Sequence, residues 1–286
     1  MSDSLIREAA VLRDVAASDA PVYAALARAV GWPHRAEDCA MAIGLGHGLV
    51  ATIAGEVVAA GMWWPYGESH ATLGMIIVSP DHQGAGLGRR LMQGLLAQVK
   101  DRSVMLNATA AGQPLYEKLG FVACGGICQH HGEVLEVAAP LLAAGAALRL
   151  ASVADMAELE RLDRAASGLP RQALLASLLE RGECAVLERG GRAVGFSVLR
   201  RFGRGLLVGP VVAENDADAR ILMAHWLQGR RGQFMRVDID AGAPLAGWLT
   251  SQGLKSVSDV VTMVRRNWPT VQGALRLHAP ASQALG

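Results

Sequence analysis

The chain has 286 residues, 51% of them hydrophobic and 19% charged, and its 27 Lys and Arg against 26 Asp and Glu give a formal net charge of +1. That length exceeds most single cores and suits two ordinary domains, and so apolar a composition excludes an intrinsically disordered chain. A protein that grips nucleic acid by its phosphates shows a basic excess, which is missing here, so no nucleic acid partner is expected.

Met1 to Glu8 contain no apolar run of the signal-peptide kind. A strand is predicted around Leu12, then an amphipathic helix from Asp19 to Val30 and a β-hairpin turning at Ala54-Gly55-Glu56. An apolar strand from Leu73 to Val78 leads to a second helix, Ala85 to Lys100, and a strand from Val104 to Asn107. A short helix and a closing strand pair follow. The longest apolar stretch, Val134 to Leu150, is broken by Glu136 and Pro140 and falls short of a bilayer span, so no membrane partner and a cytoplasmic location are expected. Within it, Ala138 to Ala146 reads as a linker. The same order then restarts: a strand at Leu148, a helix from Asp155 to Ala166, a hairpin at Gly190-Gly191-Arg192, a strand from Leu206 to Val212, a helix from Ala217 to Gln228, and a strand from Arg236 to Asp240. The tail after Trp268 has no clear periodicity.

A shift of about 136 residues aligns the two series without gaps. Ala10, Leu12, Arg13 and Asp19 fall on Ala146, Leu148, Arg149 and Asp155, and Val50, Gly55 and Val58 fall on Val186, Gly191 and Val194. Later the shift drops to about 133, placing Asn107 and Gly120 on Asp240 and Gly253. This is the signature of a tandem duplication, with domains at 1–140 and 145–286. Each half is expected to be α/β, a mixed sheet with flanking helices.

The densest chemistry lies in Ile76-Ile-Val-Ser-Pro-Asp-His-Gln-Gly-Ala-Gly-Leu-Gly-Arg-Arg-Leu91. A glycine-rich turn opening a helix presents free N–H groups and the positive end of the helix dipole, an anion site suited to pyrophosphate. A P-loop would need Gly-Lys-Ser/Thr where Gly88 is followed by Arg89-Arg90, and a dinucleotide fingerprint would need Gly at Arg89. What stands is Gln83-x-x-Gly86-x-Gly88, which resembles the acetyl-coenzyme A signature of the GNAT superfamily of N-acetyltransferases. Downstream, Pro114-Leu-Tyr-Glu-Lys-Leu-Gly-Phe121 is similar to that family's second hallmark, a short helix carrying a tyrosine.

The resemblance implies two tandem GNAT-like domains and acetyl-CoA as cosubstrate. It implies that Tyr116 is the general acid toward the leaving thiolate. Ile76, Ile77 and Val78 would hold the pantetheine arm beyond a bulge at Gly74-Met75. Gln83, Gly84, Ala85, Gly86, Leu87, Gly88 and Arg89 would hold the pyrophosphate, and Asn107 and Thr109 the pantetheine or leaving group. On the acceptor side, Glu68 and His70 are candidate bases, with His34 and His47 further off. Trp63, Trp64 and Tyr66 with Trp32 and His34 could form an aromatic wall for substrate, and core packing is an equal alternative for them.

Cys39, Cys124, Cys128 and Cys184 are too few and scattered for a disulfide framework. Cys124 and Cys128 with His130-His131 lack a second ligand pair, so no metal is expected. In the second half, Asp216, Ala219 and Ile221 stand where the first has Gln83, Gly86 and Gly88, and Leu249 stands at the place of Tyr116, which reads as a degenerate copy.

The expected function is N-acetyl transfer from acetyl-CoA to an amine, a small-molecule substrate, by direct attack in a ternary complex without a covalent acyl-enzyme. The alternatives are a non-catalytic coenzyme A-binding sensor or regulatory module, and an acyltransferase using a longer acyl-CoA. Neither acceptor identity nor oligomeric state is written in the residues.

Overall fold

The computed structural model describes residues 10–271 and 273–286. The first half runs β1 (Val11–Asp14), α1 (Ala20–Ala29), α2 (Ala36–Leu45), β2 (His47–Ile53), β3 (Glu56–Tyr66), β4 (His70–Val78), α3 (Leu87–Val99), β5 (Ser103–Ala108), α4 (Gln113–Lys118) and β6 (Val122–Glu133). The second runs β7 (Ala146–Leu150), α5 (Met156–Ser167), α6 (Gln172–Arg181), β8 (Gly182–Arg189), β9 (Arg192–Phe202), β10 (Gly205–Ala213), α7 (Asp216–Leu227), β11 (Phe234–Asp240), α8 (Leu245–Ser251) and β12 (Lys255–Arg265). The two series match element for element, and β13 (Arg276–Ala279) is added at the end.

Local chemistry explains the repeated start. Asp19 accepts from the Ala16 N–H at 2.8 Å and from the Arg13 guanidinium at 2.7 and 2.8 Å, closing the turn that leads into α1. Asp155 does the same with the Ser152 N–H at 2.7 Å and with Arg149 at 2.7 and 2.9 Å, ahead of α5. The Arg–Asp offset that aligned the two halves is therefore one helix-starting device used twice. The hairpin turns also agree, with positive φ at Ala54 and Gly55 and at Gly190 and Gly191. The sequence reading anticipated neither α2 nor α6. In α2 the buried Cys39, Met41, Ala42 and Ile43 spread round the helix and blur the single stripe on which such a prediction depends.

All thirteen strands among the described residues join one sheet. β1 to β5 lie side by side in chain order, antiparallel except for the parallel β4–β5 pair, and β7 to β11 repeat this with β10–β11 parallel. The closing strands then exchange. β12 lies against β5, with Val261 opposite Ala108, while β6 lies between β12 and β11, with His130 opposite Val237. The segments 1–140 and 145–286 are thus interlocked, each half's fifth strand being covered by the other's last.

Two cores belong mainly to one half each: Leu91, Leu95 and Met92 pack α3 on the first half of the sheet, and Leu222, Met223 and Leu227 pack α7 on the second. A third core is shared, joining Tyr23, Met62 and Trp64 to Leu159, Leu175 and Phe196. At its margin Arg171 donates to Asp163 at 2.9 and 2.5 Å, with both side chains 1% exposed. No helix among the described residues is long and apolar enough to cross a membrane.

Candidate active site

β4 and β5 pair from His70 opposite Ser103 to Leu73 opposite Leu106, and then part. The cause is a bulge. Gly74 pairs with Met62 and Ile77 with Ala60, so Gly61 faces both Met75 and Ile76. Met75 has φ of +53°, a left-handed conformation that costs a side-chain-bearing residue about 1–2 kcal/mol. The buried Tyr23 holds it there by donating its hydroxyl to the Met75 carbonyl at 2.5 Å. Beyond the bulge, the edge of Ile76, Ile77 and Val78 that faces β5 has no strand partner.

The chain then turns into α3. The Gln83 side-chain amide donates to the Val78 carbonyl at 3.1 Å, and Gly84 and Gly86 have φ of +82° and +80°. A Cβ on Gly84 would meet nothing within 4 Å, so its backbone lies open beside the turn. Gly86 is the N-cap of α3 and offers no side-chain cap, which leaves the first-turn N–H groups at the positive helix end for an external acceptor. Arg89 is exposed and has no acidic partner among the described residues. This free-donor cradle fits a pyrophosphate. Gly86→Glu would impose a side chain on a left-handed residue and put a carboxylate beside the first-turn N–H groups of α3. Calorimetric titration is expected to show acetyl-CoA affinity falling at least a hundredfold in this variant.

α4 lies beside that turn: a Cβ on Gly88 would stand 3.7 Å from Leu115. Thr109 shapes the approach to α4, its hydroxyl and carbonyl accepting from the Gly112 N–H at 3.3 and 2.9 Å. Tyr116 is 8% exposed, packs with Leu87, Leu106 and Ala108, and meets Phe121 edge-on with ring centroids 6.1 Å apart. Burial pushes its phenol up to about 12.

On the other side of the opening lies a cavity of about 450 Å³. Gly74, Met75, Asn107 and Thr109 form its first-half wall with Trp32 and His34, and the second half contributes Phe202, Arg204 and Arg236. The tail Ser282–Ala284 forms another wall. The Asn107 side chain is committed here: it donates to the Gln283 carbonyl at 2.8 Å and accepts from the Thr262 hydroxyl at 2.7 Å. Tyr66 donates to the Leu285 carbonyl at 2.5 Å. A Cβ on Gly74 would lie 2.9 Å from Cβ and 3.0 Å from Cα of Ala284. Gly74→Val is therefore expected to push the tail off the opening and cost about 1–3 kcal/mol, read as a lowered Tm by calorimetry.

Several residues expected at the site lie elsewhere. Glu68 is fully exposed on the β3–β4 turn, 3.6 Å from Arg102, and His70 begins the closed end of the β4–β5 pair. His70 lies four positions before Gly74, roughly 13 Å along a strand. Trp63 and Trp64 point to opposite faces, as neighbours in a strand must. Trp63 donates to Gln98 at 3.0 Å among the α3 contacts, and Trp64 donates to the Ala42 carbonyl at 2.8 Å in the shared core. Tyr66 anchors the tail, and His47 stacks near Trp63 at 4.7 Å. Only Trp32 and His34 of the expected aromatic wall reach the cavity, and Phe202 joins them there, its ring 5.1 Å from His34.

In the second half the corresponding groove is filled from within. β13 pairs with Val211, Val212 and Ala213 of β10, beyond the point where β10 leaves β11. Asn215 caps α7 by accepting from the Asp218 N–H at 3.0 Å. The free strand edge and uncapped helix start of the first half are thus both satisfied here by the chain itself.

A bulge-splayed parallel strand pair, an anion turn heading the next helix, and a cavity behind the opening define an acyltransferase of the α/β class. GNAT acetyltransferase domain models match residues 44–123 and 159–276, together more than half of the chain. The chain belongs to the GNAT acetyltransferase family and carries two such domains in tandem. It is 29% identical over 220 residues to the "uncharacterized N-acetyltransferase YitH" of Bacillus subtilis, covering 75% of this chain and 76% of that protein. It is 27% identical over 229 residues to the holothin acyltransferase of a Pseudoalteromonas species, covering 77% and 75%. A solved structure from Pyrococcus horikoshii, 20% identical, shares the fold with a TM-score of 0.77, covering 98% of this chain and 96% of that one.

Proposed function

We propose that the first half binds acetyl-CoA and that the chain transfers the acetyl group to the amine of a small molecule held in the cavity between the halves. The observation that carries this reading is the opening itself. The free edge of Ile76–Val78 and the Gln83–Arg89 turn lie on one side of it, and the cavity begins at Gly74 and Asn107 on the other. Ile76 and Val78 would hold the pantetheine arm by backbone groups, and the N–H groups from Gly84 to Gly88, with Arg89, the pyrophosphate. The bound thioester supplies an acetyl group activated for attack by nitrogen. A C–N bond forms as the C–S bond breaks, one proton leaves the amine, and one joins sulfur.

Tyr116 supplies the second of these protons. A phenol pushed up to about 12 keeps its proton at neutral pH, while the thiolate of a thiol with pKa about 8.5 leaves better when protonated. His34 lines the cavity, and its Nδ1 is buried without a hydrogen-bond partner among the described residues. Burial lowers its imidazole to about 4, so it is unprotonated at neutral pH and able to take the proton the amine sheds on acylation. A small acceptor agrees with the cavity volume, and one relative is by its name an acyltransferase acting on holothin. That name also keeps acyl groups longer than acetyl in view. The test is calorimetric titration of acetyl-CoA and longer acyl-CoAs into wild type and Gly86→Glu, followed by an amine panel read by mass spectrometry. One site per chain, lost in the variant, with acyl amide formed, supports the proposal. No binding sinks it.

A further inference from the structure

The cavity wall supplied by the second half holds more positive charge than its carboxylates answer. Arg200 on β9 does not itself line the cavity; it is 4% exposed and donates to the Ala281 carbonyl at 3.0 Å, and its Nε is buried without a partner among the described residues. Its guanidinium lies 4.8 Å from the Phe202 ring centroid, and that of Arg236 lies 5.4 Å from the same centroid. Arg236 is taken by Asp238 at 2.8 and 2.6 Å. Arg204, in the β9–β10 turn, stacks on Phe234 at 4.7 Å and reaches His131 at 3.4 Å. Neither Arg200 nor Arg204 has a carboxylate within ion-pair distance among the described residues. Asp38 is engaged by Arg35 and by the Gly203 N–H at 2.9 Å, which fixes the turn that carries Arg204. Asp259 on β12 is the one carboxylate among the lining residues, and it is exposed.

We infer that the acceptor carries an anionic oxygen group, a carboxylate or a phosphoryl group, which seats on Arg204 with Arg200 and Arg236 behind it while its amine faces Gly74 and Asn107. The inference rests on the acyl-transfer reading above. Arg204 is exposed on the cavity wall with no carboxylate partner among the described residues, so its guanidinium can form a charge-assisted pair with an anionic oxygen group that no neutral group of the same size matches. The same wall disfavours a protonated amine and so raises the share of the neutral nucleophile. The surroundings agree: burial first, and then Arg236 and Arg200, lower the His34 imidazole, and burial with Arg204 and Arg236 lowers that of His131.

The test uses the whole chain with acetyl-CoA and matched amines: phenylalanine, its 1-aminophosphonate counterpart, phenylalaninamide and phenethylamine, together with 4-aminobutanoate and butylamine. Anionic members are expected to exceed their neutral counterparts by at least about tenfold in kcat/KM. Whether the carboxylates or the phosphonate lead identifies the group. Arg204→Gln is expected to erase the preference through KM, and Arg204→Lys to retain part of it, with acetyl-CoA affinity by calorimetry the same in all three chains. Neutral amines equal to or better than anionic ones, a preference untouched by Arg204→Gln, or no turnover of any anionic amine by a chain that binds acetyl-CoA would each overturn the inference. Failure to bind acetyl-CoA is the separate failure of the proposed function.

Discussion

Tyr116→Phe is expected to lower kcat by about 10²–10⁴ while acetyl-CoA affinity stays within about twofold, because the change removes a proton donor and little else. The ring's packing against Leu87, Leu106 and Phe121 remains. The lost hydroxyl makes no hydrogen bond to a described residue, so Tm is expected to hold. The pH profile separates this role from a structural one. Because burial raises the phenol to about 12, Tyr116 stays protonated as pH rises from 6 through 10, and no alkaline limb in that range comes from its titration. Stopped-flow or steady-state assays with any accepted amine decide the matter. A loss smaller than about threefold would remove Tyr116 from the chemistry.

Arg171→Met has the largest expected effect on stability. The Arg171–Asp163 pair is bidentate with both side chains 1% exposed, so deleting the cation strands a carboxylate in an apolar setting at a cost of about 3–5 kcal/mol. For a chain of this size that is a fall in Tm of roughly 6–20 °C. Adding Asp163→Leu is expected to recover most of the loss, since the penalty lies in the unpaired charge rather than in the volume. Arg171 also lies 3.7 Å from where a Cβ on Gly286 would stand, so the single variant is expected to loosen the tail along with the shared core. Calorimetry on the two variants tests this directly. A single variant as stable as wild type would mean that water reaches Asp163.

The features legible in the sequence alone share a physical trait: each is decided within a few residues. Arg13 meets Asp19, and Arg149 meets Asp155, across six positions. Gly84 and Gly86 are required by their own φ angles, and the Gly74–Met75 bulge by its own strand. Turns, caps and helix starts of this kind gave the duplication, the anion turn and the position of Tyr116. Trp63 and Trp64 could have been read better from the same information, since adjacent strand residues cannot line one wall.

The remainder depended on partners far apart in the chain. Nothing within β6 or β12 says which strand it will lie beside, because any exposed strand edge can take it; only the assembled sheet sends each to the other half. The tail after Trp268 has no periodicity because it is shaped by what it fills, with β13 closing the second half's groove and residues 282–284 walling the cavity. Glu68 lies near the cofactor strand in sequence yet far along it in space, whereas Arg204, 130 residues beyond Gly74, lines the same cavity. Local backbone chemistry thus determined the family resemblance, the repeat and the glycine turn ahead of α3. Long-range strand pairing and burial, which no short window of residues encodes, decided the acceptor side.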